Sequence, residues 1–355
     1  MTQIEIKSAI TKFIREYFEP LGVGKYTVSH GCSASKGDKS CKDMTSVSFA
    51  RDIGIKTLLV EYQNKGEPKN IRAAALRVKS CLQKIKSAYG VVAAPYISSQ
   101  GGSICQQEGV GYFDLSGNCR LSFAKVLVEK KGNPNKFVVR RTQRSLFSEK
   151  AAQVIRVLLA NVQKNLGVRE VAKMTGVSPS HVSKVRRYLG DREWLSYGTK
   201  NLQINRPELV LNEWARATHL RKSPTFDFFS LKKPAIIEAE IATFCKSRGI
   251  DYGFTGFSAA IRYAPMVPAN TVTAYVSQDI PDLAKELGFK TVDSGANITL
   301  MQPCDAGVFY DAQEFDGVRL VSPLQVYLDL INDKGRGEEA AQAILEKKVR
   351  PLWSR

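Results

Sequence analysis

The chain has 355 residues and a formal net charge of +18 at pH 7, a length that accommodates two or three domains with cores of their own. An apolar content of 43% excludes wholesale disorder, and no apolar run reaches the ~20 residues of a membrane span or forms a signal-peptide core, so we expect a cytoplasmic protein with no membrane partner. Seven scattered cysteines and three histidines argue against a zinc site, and we expect reduced thiols, no metal and no cofactor.

The first segment, residues 1–128, has the pattern of an α/β domain. A loop rich in Gly, Ser and Lys is expected between Gly31 and Asp43. Because one helix lies between buried strands, the pattern favours a mixed or parallel sheet. The expected elements are a helix over Glu5–Tyr17, a β-hairpin formed by Ser46–Ala50 and Lys56–Gln63, a helix over Ile71–Ala88, and strands over Gly90–Tyr96 and Gly109–Leu115.

Four pieces of this segment resemble the restriction-endonuclease-like fold of the PD-(D/E)XK group: the hairpin ending in LLVE, the helix after it, the APY strand and the run GVGYFDLSGN. The resemblance implies a metal-dependent nuclease site with an Asp on one strand and an E-x-K pair on the next. Here Glu61 is followed by Gln63 at the lysine position, Ser48 stands where the Asp is expected, and Asp52 lies in the turn.

One carboxylate without a second ligand is a poor magnesium site. We therefore interpret this segment as a non-cutting scaffold and the chain as not an enzyme. The alternative is a metal-dependent DNA endonuclease that uses Glu61, with Lys65 replacing the missing lysine.

The segment 129–145 is a basic connector in which Gly, Asn and Pro interrupt any helix. Its Arg140, Arg141 and Arg144 either lie along phosphates or belong to a solvated linker, and the sequence leaves both interpretations open.

Residues 146–222 predict a winged helix-turn-helix. A first helix over Ser148–Lys164 precedes the stretch Leu166–Asn205, which reads as two short helices and a hairpin. Gly176 occupies the turn between the two helices, where unusual backbone angles are needed. Ser178 is expected to cap the second helix and Pro179 to begin it, and Gly190 to end it.

The second helix has an apolar stripe formed by Val182, Val185 and Leu189. Its opposite face holds hydroxyls and cations, which can contact base edges and phosphates in the major groove of DNA. The alternative interpretation is a charged helix face that is exposed to solvent and binds no DNA. The residues expected to bind DNA are Ser178, Ser180, His181, Ser183, Lys184, Arg186 and Arg187, supported by Arg169 and by Lys200 in the wing.

The charge distribution favours the same region. Residues 125–206 contain 18 basic and 5 acidic side chains, a net charge of +13, whereas residues 226–355 contain 14 and 17, a net charge of −3. A double-stranded DNA partner for the middle of the chain explains this asymmetry. Because symmetric operators need two reading heads, we expect a homodimer, with the protein associated with the nucleoid.

The last segment, residues 223–355, reads as α/β, with helices over Pro234–Arg248 and Asp279–Leu287 and a strand over Thr271–Val276. Three motifs between Thr255 and Ala340 resemble the C-terminal part of AbiEi-family antitoxins of type IV toxin–antitoxin systems. The motifs are Thr255-Gly256-x-Ser258-Ala259, Val321-Ser322-Pro323-x-Gln325-x-Tyr327-x-Asp329-Leu330 and Gly335-Arg336-Gly337-Glu338-Glu339-Ala340.

The resemblance implies a sequence-specific transcriptional regulator that represses its own type IV toxin–antitoxin or phage-defence operon and neutralises a nucleotidyltransferase-like toxin. A catalytic interpretation of Gly256 and Ser258 as a phosphate-binding turn is weaker than a packing glycine with a capping serine, because no D-x-D carboxylate pair follows. We expect Asp329, Asp333, Glu338 and Glu339 to form a solvated helix face.

Overall fold

The computed structural model describes residues 3–30, 44–137, 147–196, 201–218, 223–265, 270–333 and 336–354. The chain divides into two compact units. The first comprises Met1–Val139 with Gly190–Glu193, and the second comprises Arg140–Leu189 with Trp194–Arg355. The expected loop over residues 31–43 and the three linker arginines, Arg140, Arg141 and Arg144, lie outside the described residues.

The first unit is a seven-stranded sheet in which the strands follow one another in chain order, β1 to β7. The pairs β3–β4 and β4–β5 are parallel and the others are antiparallel. The strands are β1 (Tyr26–His30), β2 (Thr45–Phe49), β3 (Thr57–Tyr62), β4 (Ala88–Ala94), β5 (Gly111–Asp114), β6 (Cys119–Phe123) and β7 (Val126–Lys130), and the helices are α1 (Gln3–Tyr17), α2 (Pro68–Leu82) and α3 (Ser99–Gln107).

Strand alternation divides the buried side chains of the first unit between two apolar cores. Leu58 and Val60 of β3 lie in the same core as Phe13 of α1, and Leu59 lies with Val78 of α2. Successive residues of a strand point to opposite faces of the sheet. The expected mixed sheet and the β2–β3 hairpin are therefore present, with helices contributing to the core on each side.

One expectation about the cysteines is wrong. Cys81 in α2 is disulfide-bonded, although all cysteines were expected to be reduced thiols. Cys105, Cys119, Cys245 and Cys304 are free. The remaining two, Cys32 and Cys41, lie outside the described residues.

The second unit begins with four helices, of which the middle two are the pair predicted around Gly176. Two antiparallel bridges join Leu195 to Ile204 after the helix pair, and Leu202 to Leu166, which precedes the pair. The bridge Leu195–Ile204 forms the base of the expected hairpin, whose tip over residues 197–200 is not among the described residues. The helices are α4 (Glu149–Ala160), α5 (Val168–Thr175), α6 (Pro179–Asp191) and α7 (Pro207–Thr218).

The rest of the second unit is an α/β region with a seven-stranded sheet of order β11-β8-β12-β10-β9-β14-β13. The pairs β10–β12 and β9–β14 are parallel. The strands are β8 (Thr225–Phe229), β9 (Tyr252–Phe254), β10 (Val272–Val276), β11 (Lys290–Thr291), β12 (Ile298–Met301), β13 (Gln313–Phe315) and β14 (Val318–Leu320). The helices are α8 (Pro234–Arg248), α9 (Gly256–Tyr263), α10 (Ile280–Glu286), α11 (Pro323–Leu330), α12 (Arg336–Ile344) and α13 (Arg350–Trp353).

The helices and strands of the second unit share one apolar core, to which α4, α5, α6 and the α/β region all contribute. Within the described residues, no helix is both long and apolar enough to cross a bilayer.

Candidate nucleic-acid interface

The turn between α5 and α6 has the backbone geometry that its glycine permits. Gly176 ends α5 with φ of +67°, in the left-handed region that side chains with a Cβ disfavour. Helix α6 then begins at Pro179, where a missing N–H leaves no helical hydrogen bond unmade. At the start of α5, the Glu170 carboxylate accepts a hydrogen bond from the N–H of Gly167 at 3.3 Å. Helix α6 ends one residue later than expected, at Asp191 instead of Gly190.

Helix α6 separates an apolar face from a polar one. Val182, Val185 and Leu189 are buried in the core of the second unit, as the periodicity predicted. The side chains expected to read DNA lie elsewhere on the helix or, for Ser178, just before it: Ser178, Ser180, Ser183, Lys184 and Arg187 are exposed, and His181 and Arg186 are half-buried.

Asp191 in the last turn of α6 pairs with Lys69 at 3.8 Å, whereas the cations of the polar face have no such partner within the described part of the chain. Lys184, Arg186 and Arg187 form no ion pair or side-chain hydrogen bond there. Arg169, the second residue of α5, is likewise exposed. The region thus presents cations and hydroxyls that remain available to an external anion. Lys200, expected in the wing, lies outside the described residues.

The hairpin after α6 is closed by a backbone hydrogen bond between its own strands, and a second one holds it to the segment that precedes α5. The N–H of Leu202 donates to the carbonyl oxygen of Leu166 at 2.7 Å, and that of Ser196 donates to Gln203 at 2.9 Å. Trp194, Leu202 and Ile204 are buried. These contacts fix the strand that leads away from α6, so the base of the hairpin is part of the folded unit.

The structure places the nuclease candidate Glu61 on β3, facing α2. Its Oε1 accepts hydrogen bonds from Arg77 Nε at 2.9 Å and from Gln63 Nε2 at 2.8 Å, and it is also paired with Arg77 Nη2. Glu61 is only 6% exposed. Its charge is therefore balanced by an arginine of the same unit. Lys65 is exposed in the loop after β3.

Neither expected partner of Glu61 completes a metal site. Ser48 lies on β2 and is exposed, and the Asp52 carboxylate accepts a hydrogen bond from the N–H of Gly54 in the turn. The buried Asp114 accepts hydrogen bonds from Ile97 and Asn118. Across the described ranges, no group of three His, Cys, Asp or Glu side chains is placed to hold a metal ion.

The first AbiEi-like motif packs against a strand. Gly256 begins α9 with φ of +55°. The Ser258 hydroxyl is buried, accepts a hydrogen bond from the N–H of Thr273 at 3.1 Å and lies 3.4 Å from the Thr271 carbonyl oxygen. A hydroxyl engaged by strand backbone in this way is not directed at a phosphate. The packing interpretation of this motif therefore fits the geometry better than the phosphate-binding one.

The second motif contributes to a polar cluster that the sequence did not predict. Asp329 was expected on a solvated face, and that expectation is wrong. Its carboxylate accepts hydrogen bonds from the hydroxyls of Thr255 and Tyr275, at 2.5 and 2.9 Å, and from Gln325 Nε2 at 2.7 Å. On the other side of Gln325, its Oε1 accepts from Arg156 Nη1 at 2.6 Å.

Burial dominates the electrostatics of this cluster. Desolvation raises the pKa of Asp329 to about 6, against the opposing effect of the three hydrogen bonds and of the Arg156 charge. Burial also lowers the pKa of Arg156 and raises that of Tyr275. Each shift has the direction expected when a charged form loses its water.

The sequence contained one signal for this cluster. Arg156 interrupts an otherwise apolar run, and every residue from Val154 to Leu159 is buried. A helix that is apolar on all sides is an internal helix, so an arginine within it requires a buried partner. Which residues provide that partner depends on contacts 169 positions away in the chain, which local patterning does not contain.

Comparison with known proteins finds a family match for one part of the chain. Residues 203–350 match the family described as "Transcriptional regulator, AbiEi antitoxin, Type IV TA system". The match covers α7, the α/β region of the second unit and the polar cluster apart from Arg156. No curated protein and no solved structure matches the chain.

The AbiEi match supports the resemblance stated from the three motifs, for the C-terminal part of the chain. The family is one of transcriptional regulators and antitoxins, and its description agrees with the expectation that this chain is not an enzyme. The match begins at residue 203, after α6, so it includes neither the N-terminal unit nor α4, α5 and α6. The likeness of the N-terminal unit to nucleases is therefore a separate hypothesis.

Proposed function

We propose that this protein is a sequence-specific, double-stranded DNA-binding regulator that represses its own operon and is the antitoxin of a type IV system. The observation that carries the proposal is the two-sided character of α6. Its apolar stripe is buried, whereas Ser180, Ser183, Lys184 and Arg187 are exposed and have no ion pair or side-chain hydrogen bond among the described residues. This helix follows a tight turn and precedes a hairpin, the order of a winged helix-turn-helix.

In this proposal α6 is the recognition helix. Lys184 or Arg187 pairs with guanine, and each such base contact contributes roughly 1–3 kcal/mol of discrimination. Ser180 and Ser183 contact bases or phosphates, and the remaining members of the predicted set hold the backbone. These members are Ser178, His181, Arg186, Arg169 and Lys200.

The proposed partners follow from the same elements. A symmetric operator needs two copies of α6, so the protein binds as a homodimer and is associated with the nucleoid. The AbiEi-like region, with its net negative charge, acts on a cognate nucleotidyltransferase-like toxin. Co-expression with the product of the adjacent gene tests this partner, because an antitoxin relieves the growth arrest that the toxin causes.

The N-terminal unit is, in this proposal, a non-cutting scaffold of the restriction-endonuclease-like type. The parallel pair β3–β4 joined by α2 supports the likeness. The ion pair between Glu61 and Arg77 supports the loss of metal chemistry, because a carboxylate neutralised by arginine is a weak cation ligand.

A salt titration tests the DNA-binding proposal. Binding to the duplex upstream of the chain's own gene should weaken steeply with salt, because each neutralised phosphate adds about 0.9 to the slope of log K against log salt. Arg187→Ala should weaken binding roughly ten-fold and, if it contacts a phosphate, make the slope shallower by about 1.

Lys347→Ala is the matched control, since Lys347 is an exposed cation in the segment Leu345–Val349, far along the chain from α6. A flat salt dependence for the wild type, or equal affinities for Arg187→Ala and wild type, would contradict α6 as the reading element.

A further inference from the structure

Arg156 is a buried cation on α4, the helix that precedes the proposed helix-turn-helix. It is 3% exposed, and its guanidinium lies 5.1 Å from the centre of the Trp214 ring. Nη1 donates to Gln325 Oε1 at 2.6 Å, while Nε has no hydrogen-bond partner among the described residues. A buried guanidinium with so few acceptors depends strongly on the oxygen that it has.

Gln325 connects this cation to a half-buried anion in a fixed direction. A glutamine side chain has one accepting oxygen and one donating nitrogen. The oxygen accepts from Arg156, and the nitrogen donates to Asp329 Oδ1 at 2.7 Å. Reversing the amide would place its N–H groups against Arg156 and its oxygen against the carboxylate. The negative charge on Asp329 therefore fixes the amide in the orientation that holds Arg156.

The other polar groups that face the cluster give Arg156 no hydrogen bond. Thr255 and Tyr275 donate to Asp329, and the Tyr275 hydroxyl also accepts from Gln325 Nε2 at 3.3 Å, a longer contact than the one from Gln325 to Asp329. Asp305, whose charge acts on Arg156, uses its Oδ1 to accept from the N–H of Gly307 at 2.9 Å. Charge reaches Arg156 from Asp329 and Asp305, but the hydrogen bond comes through Gln325.

We propose that Asp329, acting through Gln325, positions Arg156 and with it helix α4, so that the AbiEi-like region controls the placement of the DNA-reading helices. Asp329 and Arg156 are positioning residues in this scheme. Helix α4 contributes Ile155 and Leu158 to the same core as Val171 of α5 and Val182 of α6. A shift of α4 is transmitted to the reading face because close-packed cores move in concert. The effect on DNA rests on the proposed function, whereas the coupling of Asp329 to α4 does not.

Three variants of the full chain test whether Asp329 fixes the orientation of the Gln325 amide. Asp329→Asn removes the negative charge that fixes the Gln325 amide, and Gln325→Glu places a second anion beside Asp329. The double variant places the negative charge on residue 325 instead of residue 329. The carboxylate introduced at position 325 then accepts hydrogen bonds from Arg156 and from the amide introduced at position 329. Asp333→Asn is the matched control, because Asp333 is an exposed acid just beyond α11.

Amide hydrogen exchange of residues 149–160 is the first measurement. We expect exchange about ten-fold faster in each single variant, the equivalent of one lost charge-assisted hydrogen bond. The double variant and Asp333→Asn should exchange like the wild type. Affinity for the duplex upstream of the chain's own gene should fall in the single variants and return in the double variant.

The results separate the two levels of the proposal. Unchanged exchange in α4 for the single variants overturns the coupling, whatever happens to DNA affinity. Failure of the double variant to recover also overturns it, since a packing role would be insensitive to where the charge stands. If the wild type binds no duplex, the proposed function fails, while recovery of α4 exchange in the double variant still supports the coupling of Asp329 to α4.

Discussion

At the scale of single residues, Gly176 determines whether α5 and α6 can meet at their observed turn. Its φ of +67° lies in the left-handed region, and an added Cβ would meet no atom within 4 Å. Gly176→Ala should therefore lower stability through backbone strain alone, by about 1–2 kcal/mol. Gly176→Asn should cost less, because asparagine tolerates this conformation. Thermal unfolding of the purified variants measures the difference.

Gly190 provides the opposite control for that prediction. It lies in the last turn of α6, and a Cβ at this position also meets nothing within 4 Å. Gly190→Ala should raise stability by about 0.4–1 kcal/mol, since alanine restricts the unfolded chain and favours helix. Equal losses of stability in both variants would mean that Gly176 does not owe its role to its backbone angle.

Asp329 should make stability depend on pH. Burial raises its pKa to about 6 in the folded protein, above the value of 3.8 that an ordinary aspartate has. The folded state therefore binds this proton more tightly than the unfolded state does. The stabilising contribution of the protonated form is complete below pH ~4 and is lost as the pH rises through about 6.

The measurement is a comparison of unfolding free energies between wild type and Asp329→Asn from pH 4 to 7. The wild type should lose up to about 3 kcal/mol relative to the variant across this range. Parallel pH profiles for the two proteins would show that Asp329 keeps an ordinary pKa in the folded protein.

The residues of the two sites differ in how far the sequence could predict them. The polar face of α6 follows from periodicity, because Val182, Val185 and Leu189 define its opposite side. Asp329 lies on a short helix whose neighbours are apolar, and its partners come from β10 and from the residue before α9. No local pattern gives those partners, so the carboxylate was assigned to solvent.

At the scale of elements, strong apolar periodicity predicted most helices and the β2–β3 hairpin, and weak periodicity accounts for two of the omissions, α3 and β1. Helix α3 has the sequence SQGGSICQQ, in which two glycines oppose helix formation. Tertiary contacts stabilise it, since Gly102 lies against the ring of Tyr112. Strand β1 was missed because none of its residues is buried, so it lacks the apolar pattern of a core strand.

Helix α3 should accordingly depend on its N-cap. The Ser98 hydroxyl accepts a hydrogen bond from the N–H of Gly101 at 3.2 Å. Ser98→Ala should destabilise the first unit by about 1 kcal/mol. Ser103→Ala on the same helix should be nearly neutral, because the Ser103 hydroxyl only donates to a helical carbonyl oxygen. Denaturant unfolding compares the two, and equal effects would argue against the cap.

At the scale of the whole molecule, the nuclease alternative makes a direct prediction. Glu61 is paired with Arg77, and no second carboxylate completes a metal site among the described residues. Supercoiled plasmid incubated with the protein and Mg²⁺ or Mn²⁺ should therefore remain uncut, for the wild type and for Glu61→Ala alike. Cleavage by the wild type that Glu61→Ala abolishes would revive the endonuclease interpretation.

The sequence alone shows how charge is distributed along the chain, and this distribution indicates that the middle segment is the part that attracts a polyanion. The division of the chain into two units is harder to predict from the sequence. The expected central and C-terminal domains share a single apolar core, because α4 is buried on nearly all sides. A sequence window shows that a helix is apolar all round, but it does not show which other segments cover it.

The order of strands in the two sheets has a consequence for how the protein is made. In the first sheet every strand pairs with the next one synthesised, so this sheet has mostly local pairings and can form while the ribosome is still translating the remainder. In the second sheet, β8 pairs with β11 and β12, and must wait for about 60 further residues to emerge. Refolding should therefore be biphasic, with the second unit slower and more exposed to chaperones and proteases.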